Sequence, residues 1–314
     1  MGERVARASA APDGRIVLAI DLGGTKAAIA TVRDDGTVLG RARMPTPRMA
    51  PADAIAGWVA RSRTLPGAAD ALAVGMAMPA IVSEAGTVEW AAPSVPDWAD
   101  ADAAGLLAVG FGVPAHVTFD GYAATAGEAV FGGGAGCRSV VTIIVGTGMG
   151  AGAWVDGRVI RGAVGVAGAV GHDRWPVGAG ELSGPAESIA SGPGILALAR
   201  RLAPDAGYAD TPGVFRAARA GDAAARRAID EAAAIAGAVA GSAVNVIAPE
   251  VVVWTGGVGA RADFSAAASR VAMACSQPFA RGRTRFVRSR LGAESSLMGA
   301  AAGALAVADR RTRG

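Results

Sequence analysis

The chain has 314 residues, 52% of them hydrophobic, with 46 glycines and a formal net charge of +3. That length allows one large domain or two ordinary ones, and the apolar content excludes wholesale disorder. The glycines are scattered among apolar runs without a period, which excludes collagen and linker sequence and indicates many tight turns in an α/β protein.

Two isolated cysteines, Cys137 and Cys275, make neither a disulfide framework nor a metal site and fit a reducing cytoplasm. No uninterrupted run of about 18 strongly apolar residues occurs, so neither a membrane span nor a signal peptide is expected. Arg281, Arg283, Arg285, Arg288 and Arg290 form one arginine-dense stretch. It reads as a solvated face or an edge strand, and no nucleic-acid partner is expected.

Residues 1–14 read as a flexible lead-in. RIVLAID (15–21) is a buried strand that runs into the turn Gly23-Gly24-Thr25. KAAIATV (26–32) is a second strand, and Asp34-Asp35-Gly36 turns the chain into a third at 37–43. Residues 51–63 form an amphipathic helix and 71–78 a buried strand. A helix at 101–111, a strand at 113–119 and a helix at 121–131 follow.

The opening pattern then returns. VVTIIV (140–145) leads into Gly146-Thr147-Gly148, a strand at 149–155, the turn Asp156-Gly157 and another strand. This reads as a duplicated module with one glycine turn in each half. Alanine-rich helices are expected at 186–202 and 220–246. A strand at 251–255 ends in Gly256-Gly257-Val258-Gly259, and a last helix spans about 293–308. Strands alternating with helices predict α/β architecture with ligands at strand carboxyl ends. The expected division is a small domain of 15–121 plus 293–314 and a large domain of 122–292.

Three glycine turns directly follow three apolar strands: DLGGTK (21–26), GTGMG (146–150) and TGGVG (255–259). Glycine lets the backbone approach phosphate closely and exposes amides to its oxygens. None is a Walker A motif or a strict GxGxxG with a downstream ribose-binding acid, which argues against P-loop and NAD-type chemistry. Lys26 is the only lysine among 30 basic residues. Chance leaves some residue as the last lysine; a compact ammonium beside phosphate is the functional reading.

Taken together, these segments resemble the ROK family (repressors, open reading frames and sugar kinases) of the actin-like phosphotransferase superfamily. DLGGTK resembles the family's first phosphate motif, and GVPAHVTFDGYAATAGEAVFG (112–132) its catalytic segment. VGTGMGAGAWVDGRVIRG (145–162) is similar to its second phosphate loop. GAVGH (168–172) with GPAESIASG (184–192) is similar to its sugar-binding signature, and NVIAPEVVVWTGGV (245–258) to its adenosine segment. The resemblance runs from about Arg15 to Ala306.

It implies a two-domain actin-like, ribonuclease H-like sugar kinase fold with an inter-domain cleft, ATP and Mg²⁺ as cofactors, and a homodimer. Asp120 would be the general base that accepts the acceptor's hydroxyl proton. By position alone, Asp120 reads as the N-cap of the helix at 121–131, and it is the matched surroundings that favour the base. Asp21 would hold Mg²⁺ through water. Gly23, Gly24, Thr25, Lys26, Gly146, Thr147 and Gly148 would cradle phosphates, with Gly256 and Gly257 beside the adenosine. His172 and Glu187 would contact the sugar.

Departures from the family pattern gather on the sugar side. The asparagine expected before the base is Phe119, and the glutamate of the Glu-x-Gly-His signature is Ala169. The glycine after Pro79 is Ala80, and an asparagine of the next loop is Ser94. Each buried sugar hydroxyl left unpaired costs about 1–3 kcal/mol. Plain glucose or N-acetylmannosamine should bind poorly unless Tyr122, Asp97 or Glu181 compensates. The family's cysteine cluster after the histidine is missing, so no structural zinc is expected. The expectation is ATP-dependent phosphorylation of an unusual acceptor, an amino sugar or a C7-cyclitol. The alternatives are a glucokinase-like enzyme and a non-catalytic sugar-binding protein. A sugar-responsive repressor would need a helix-turn-helix domain before Asp21, and none is expected there.

Overall fold

The first expected strand forms as β1 (Ile16–Leu22) in the computed structural model, which describes residues 14–177 and 182–312. The lead-in at 1–14, apart from Gly14, lies outside the described residues, as does Glu181. β1 is an apolar run buried along most of its length, as a strand covered on both faces requires. β2 (Lys26–Arg33) returns antiparallel to it, and β3 (Val38–Pro45) returns antiparallel to β2. α1 (Pro51–Ser62) carries Pro51 in its first turn and buries Ala54, Ile55 and Trp58. β4 (Ala71–Met78) then runs parallel to β1. A short hairpin of β5 (Ala80–Val82) and β6 (Val88–Ala91) follows. α2 (Ala103–Phe111) starts at Ala103 because Asp102 caps it, accepting the Gly105 N–H. β7 (Ala115–Phe119) completes a sheet of order β3-β2-β1-β4-β7. Trp58 and Trp98 stack 5.8 Å apart in this core, with Ile20, Ile29 and Met76.

α3 (Asp120–Val130) leads into the second set of strands. β8 (Ser139–Val145), β9 (Met149–Val155) and β10 (Arg158–Val159) run antiparallel in succession. β11 (Arg174–Val177) and β12 (Leu182–Pro185) pair as a separate ribbon. Then come α4 (Gly192–Leu202), α5 (Thr211–Arg219) and α6 (Ala223–Ile247). β13 (Val251–Thr255) enters parallel to β8 and is followed by α7 (Gly256–Gly259), α8 (Ala262–Cys275) and α9 (Pro278–Arg281). β14 (Arg285–Arg288) pairs parallel to β13, and α10 (Ser295–Thr312) follows. The sheet order is β10-β9-β8-β13-β14. Each sheet therefore holds an antiparallel β-meander with a parallel strand added on the far side of its first member. The repeat read from the glycine turns recurs in the topology.

Several local expectations are corrected. The helix at 186–202 is a 3₁₀ turn, Ala186–Ser188, followed by α4, which Ser191 caps at the Gly194 N–H. The helix at 220–246 opens at Ala223, where Asp222 caps the Ala225 N–H. The residues before it include α5, which is opened by its own cap, Asp210. The strand after Asp156-Gly157 is only two residues long. Gly256–Gly259, expected as a turn, winds into one helical turn.

Of the arginine-rich stretch, Arg285 and Arg288 lie in the edge strand β14 and Arg281 ends α9. Arg281 donates to the Ala274 and Ser276 carbonyls, and Arg283 to that of Phe279. α6 is long and apolar enough to cross a membrane by composition, but half of its most apolar stretch is buried. Its residues Ala232, Ala236 and Val239 join the core of the second sheet.

The chain forms two compact units. One runs to Thr118 and resumes at Ala300, and the other is Phe119–Gly299.

Candidate active site

In the first unit, the parallel register of Asp21 with Ala77 brings the turns after β1 and β4 to one end of the sheet. The turn at Gly23 is tied down on several sides. Its N–H donates to the Lys26 carbonyl at 3.0 Å, and the Thr46 hydroxyl donates to the Gly23 carbonyl at 2.6 Å. The Thr46 N–H donates to the Thr25 carbonyl at 3.1 Å. Neither Gly23 nor Gly24 has a positive φ, so space and not handedness requires glycine here. A Cβ on Gly24 would lie 3.0 Å from that of Ser94, and one on Gly23 would lie 2.9 Å from the Lys26 carbonyl oxygen.

Pro79 and Ala80 belong to the same cluster. Ala80 is buried opposite Ala91, and the Pro79 carbonyl accepts the Ala92 N–H at 3.0 Å, two residues before Ser94. Asp21 is half-buried near the end of β1; Thr25 and Lys26 are exposed where β2 begins. Asp97 is exposed in the 3₁₀ turn Pro96–Trp98.

In the second unit, β8 and β13 are parallel, with Ile144 opposite Thr255, so their following glycine turns are adjacent. A Cβ on Gly146 would lie 4.0 Å from the Gly257 nitrogen. Gly256 has a φ of 86°, and a Cβ there would meet the Val145 carbonyl oxygen at 2.3 Å. Only glycine satisfies both conditions. The Gly146 N–H donates to the Gly148 carbonyl at 2.9 Å, and the Gly192 N–H to the Gly146 carbonyl at 2.7 Å. The start of α4 is thereby sewn to the glycine turn. Thr147 is exposed at its tip.

Glu187 sits against the same turn. Its Oε2 would be 3.0 Å from a Cβ on Gly148 and 3.2 Å from one on Gly171. The residue expected to read the sugar thus borders the residues expected to hold phosphate. His172 is exposed at the end of the 3₁₀ turn Val170–His172.

Asp120 does not end a strand. β7 stops at Phe119, and Asp120 is the first residue of α3. The cap position falls on Phe119, which makes no side-chain cap bond, so the capping role open to Asp120 by position is not taken up. A carboxylate in the first helical turn is favoured by the helix dipole. The Ser296 hydroxyl donates to the Asp120 carbonyl at 3.3 Å. Phe119 meets Tyr122 edge to face, with centroids 5.4 Å apart and planes at 89°. The Tyr122 hydroxyl donates to the Arg161 carbonyl at 3.2 Å, and the Arg161 guanidinium lies 5.8 Å from the Tyr122 ring. Burial pushes the Tyr122 hydroxyl above its ordinary pKa.

Sequence reasoning missed three supporting groups: Thr46, Ser296 and Glu128. Glu128 lies on α3 and is fully buried. Its carboxylate accepts from the Ser289 hydroxyl, from the Ser295 hydroxyl at 2.8 Å and from the Gly133 N–H at 2.9 Å. No local pattern marks Ser289 and Ser295, which lie far along the chain from Glu128.

Among the described residues, no group of three or more His, Cys, Asp and Glu side chains is placed to hold a metal ion. A largely apolar groove of about 300 Å³, lined by Ala153, Ile160, Val239 and Val246 among others, contains none of the candidate residues.

The two matching sheets, with glycine turns at parallel strand ends, define a two-domain actin-like α/β fold. Residues 17–307 match the ROK family, and the chain belongs to it. It is 34% identical to a glucokinase from Streptomyces coelicolor over 195 residues, 60% of this chain and 60% of that protein. It is 33% identical to the bifunctional enzyme NanE/NanK of Brucella melitensis over 93% of this chain and 54% of that enzyme. The matches thus span under two thirds of either relative's length. Among solved structures, the ROK hexokinase from Thermus thermophilus superposes with a TM-score of 0.79 at 30% identity, covering 94% of this chain and 99% of that one. A ROK family glucokinase from Streptomyces griseus, in complex with glucose and AMPPNP, gives 0.74 at 28% identity over 93% and 99%.

Proposed function

We propose that this chain is an ATP-dependent kinase that phosphorylates the primary hydroxyl of a sugar or sugar-like cyclitol, with Asp120 as general base. The observation that carries the reading is the half-buried Asp120 carboxylate in the first turn of α3, in a ROK chain that keeps its glycine turns at parallel strand ends. The names of the relatives support it: glucokinases and an N-acetylmannosamine kinase share 34% and 33% identity with parts of the chain.

Asp120 accepts the proton of the acceptor hydroxyl. The freed oxygen bonds to the γ-phosphorus as the bond to the β-phosphate bridging oxygen breaks, and ADP leaves. Backbone amides of Gly23, Gly24, Thr25, Gly146, Thr147 and Gly148 hold phosphate oxygens, with Lys26 as a nearby cation. Gly256 and Gly257, packed beside Gly146, take the adenosine. The carboxylate of Asp21 suits Mg²⁺, which keeps several waters and uses one or two carboxylates with substrate phosphates. Bound there, the ion would neutralise phosphate charge.

On the acceptor side, Glu187 and His172 contact hydroxyls, and Pro79, Ala80, Ser94 and Phe119 are the other residues assigned to the acceptor. Ala80 and Phe119 bring no polar side chain, and Ser94 brings only a hydroxyl. The acceptor is then one altered at the ring positions that those groups would read, an amino sugar or a C7-cyclitol.

Incubation with labelled ATP, Mg²⁺ and a panel of hexoses, amino sugars and cyclitols tests this. Transfer to at least one compound is expected, and transfer to none overturns the reading. Gly257 gives a cleaner probe of the nucleotide side. A Cβ there meets nothing within 4 Å and φ is not positive, so Gly257→Val should fold and melt like the parent. Its KM for ATP should rise by roughly ten-fold or more, a figure set by the loss of close backbone approach.

A further inference from the structure

Residues 264–293 carry six arginines, Arg270, Arg281, Arg283, Arg285, Arg288 and Arg290, and no lysine, aspartate or glutamate. Taking those six from a net charge of +3 leaves −3 for the rest of the chain. The positive charge is therefore gathered on one stretch, to which the proposed phosphoryl transfer assigns no role. The ion pairs of the described residues include none of the six.

The stretch surrounds an open sheet edge. β14 is the last strand of its sheet, and no described strand pairs with its outer side. The Arg285 N–H donates to the Glu250 carbonyl at 2.9 Å and the Ser289 N–H to the Trp254 carbonyl at 2.8 Å. Backbone groups alternate in direction along a strand, so those of Phe286 and Arg288 point away from β13. A groove of about 470 Å³ lies between this edge and α8, lined by Trp254, Ala266, Ser269, Met273, Phe286 and Arg288 among others. Its floor is fixed, because the Trp254 indole N–H donates to the Ser269 hydroxyl at 2.8 Å and ties β13 to α8. Arg270 is exposed on α8, four residues after Ala266 and three before Met273, at the flank of the stripe that faces the groove. Arg285 turns to the other face of β14, where it donates to Cys137 Sγ at 3.1 Å.

These features select one kind of occupant. An open edge is satisfied by a row of alternating backbone donors and acceptors, which an extended chain supplies. The apolar floor takes side chains from one face of such a chain, and the arginines take carboxylates. A second copy pairing edge to edge would set arginine against arginine, the arrangement that keeps exposed edges apart. A nucleic acid would meet the arginines but would set phosphate oxygens against the outward carbonyls, with no row of donors for them.

We propose that the outer edge of β14 and its groove are a docking surface for an extended acidic peptide of a partner protein, which adds to the sheet as a further strand. The surface belongs to the second unit alone and stands whether or not Asp120 is a base.

Fluorescence anisotropy of the full chain with a labelled peptide of alternating valine and glutamate, about eight residues long and so within the ordinary range of strands, tests this. It should bind about ten-fold or more tighter than a peptide with lysine for glutamate, and than one with proline for valine, which keeps the charge but cannot extend as a strand. Backbone hydrogen exchange at Phe286 and Arg288 should slow in the complex. Arg270→Glu combined with Arg288→Glu should weaken binding by about ten-fold or more. Arg270→Gln combined with Arg288→Gln should weaken it by about three-fold or more, which covers the case in which the glutamate pair misfolds.

No binding of the valine–glutamate peptide, equal binding of the proline peptide, or unchanged exchange at Phe286 and Arg288 overturns the proposal. Equal or tighter binding of a single-stranded oligonucleotide of matched charge makes the surface a general polyanion site and overturns it too. A dimer of the chain that Arg288→Glu breaks up would make the occupant a second copy, with the same result.

Discussion

Asp120→Asn is expected to lower kcat for the best acceptor by about 10²–10⁴-fold and to leave the KM for ATP within about two-fold. Asparagine matches the shape of aspartate at the first position of α3, so the helix start and the Ser296 contact to the backbone carbonyl at 120 survive. It cannot take a proton. The loss should therefore fall on the chemical step and not on nucleotide binding, which is assigned to glycine backbone elsewhere. The lost dipole interaction of a carboxylate in the first turn is worth only about 0.3–1 kcal/mol, too little to unfold the unit. Steady-state kinetics with the acceptor found in the labelled-ATP panel decides the matter. Full turnover in Asp120→Asn would mean that another group takes the proton.

The second large effect concerns stability. Glu128→Ala is expected to destabilise the second unit by about 3 kcal/mol, because three donors lose its carboxylate and the Ser295 hydroxyl alone keeps a carbonyl acceptor, that of Gly292. Those donors are the Gly133 N–H and the Ser289 and Ser295 hydroxyls. In a unit of this size the melting temperature should fall by about 10 °C, measurable by calorimetry. The cost comes less from the lost bonds than from the stranded donors. Combining Glu128→Leu with Ser289→Ala and Ser295→Ala should therefore restore part of the stability. A triple variant less stable than Glu128→Ala would show that packing and not polarity dominates there.

Much of the frame was legible because its signals are local. β1 and β8 are mostly apolar strands, interrupted only by Asp21, Ser139 and Thr142, and each leads into a glycine turn that is followed by a second strand and an Asp-Gly turn. α1 was legible from its one apolar face and α3 from its place after β7. What escaped was short or uniform. β5 and β6 have three and four residues, too few for a period to show. α8 is rich in alanine on every side, so no apolar stripe stands out against a polar face. The break between Ser188 and Gly192 hid inside an alanine- and glycine-rich stretch that reads as continuous helix.

At the candidate site, residue identities were legible from motifs, but support was not. Thr46 reaches Gly23 from 23 residues away, and Ser295 reaches Glu128 from 167. Nothing local in the sequence marks such pairs. The start of α3 was misplaced by one residue for a related reason. An acid after a strand suits either a cap or the first helical turn, and tertiary contacts choose between them.

Lys26 has a practical consequence. It is the chain's only lysine, and it stands exposed at the first residue of β2, directly after Gly23-Gly24-Thr25. Every side-chain amine reaction open to this protein, whether acylation, reductive methylation or imine formation, therefore converges on one glycine turn. A single added mass on the lysine side chain would be an address as well as a count, and a fluorophore attached there would report on that turn alone.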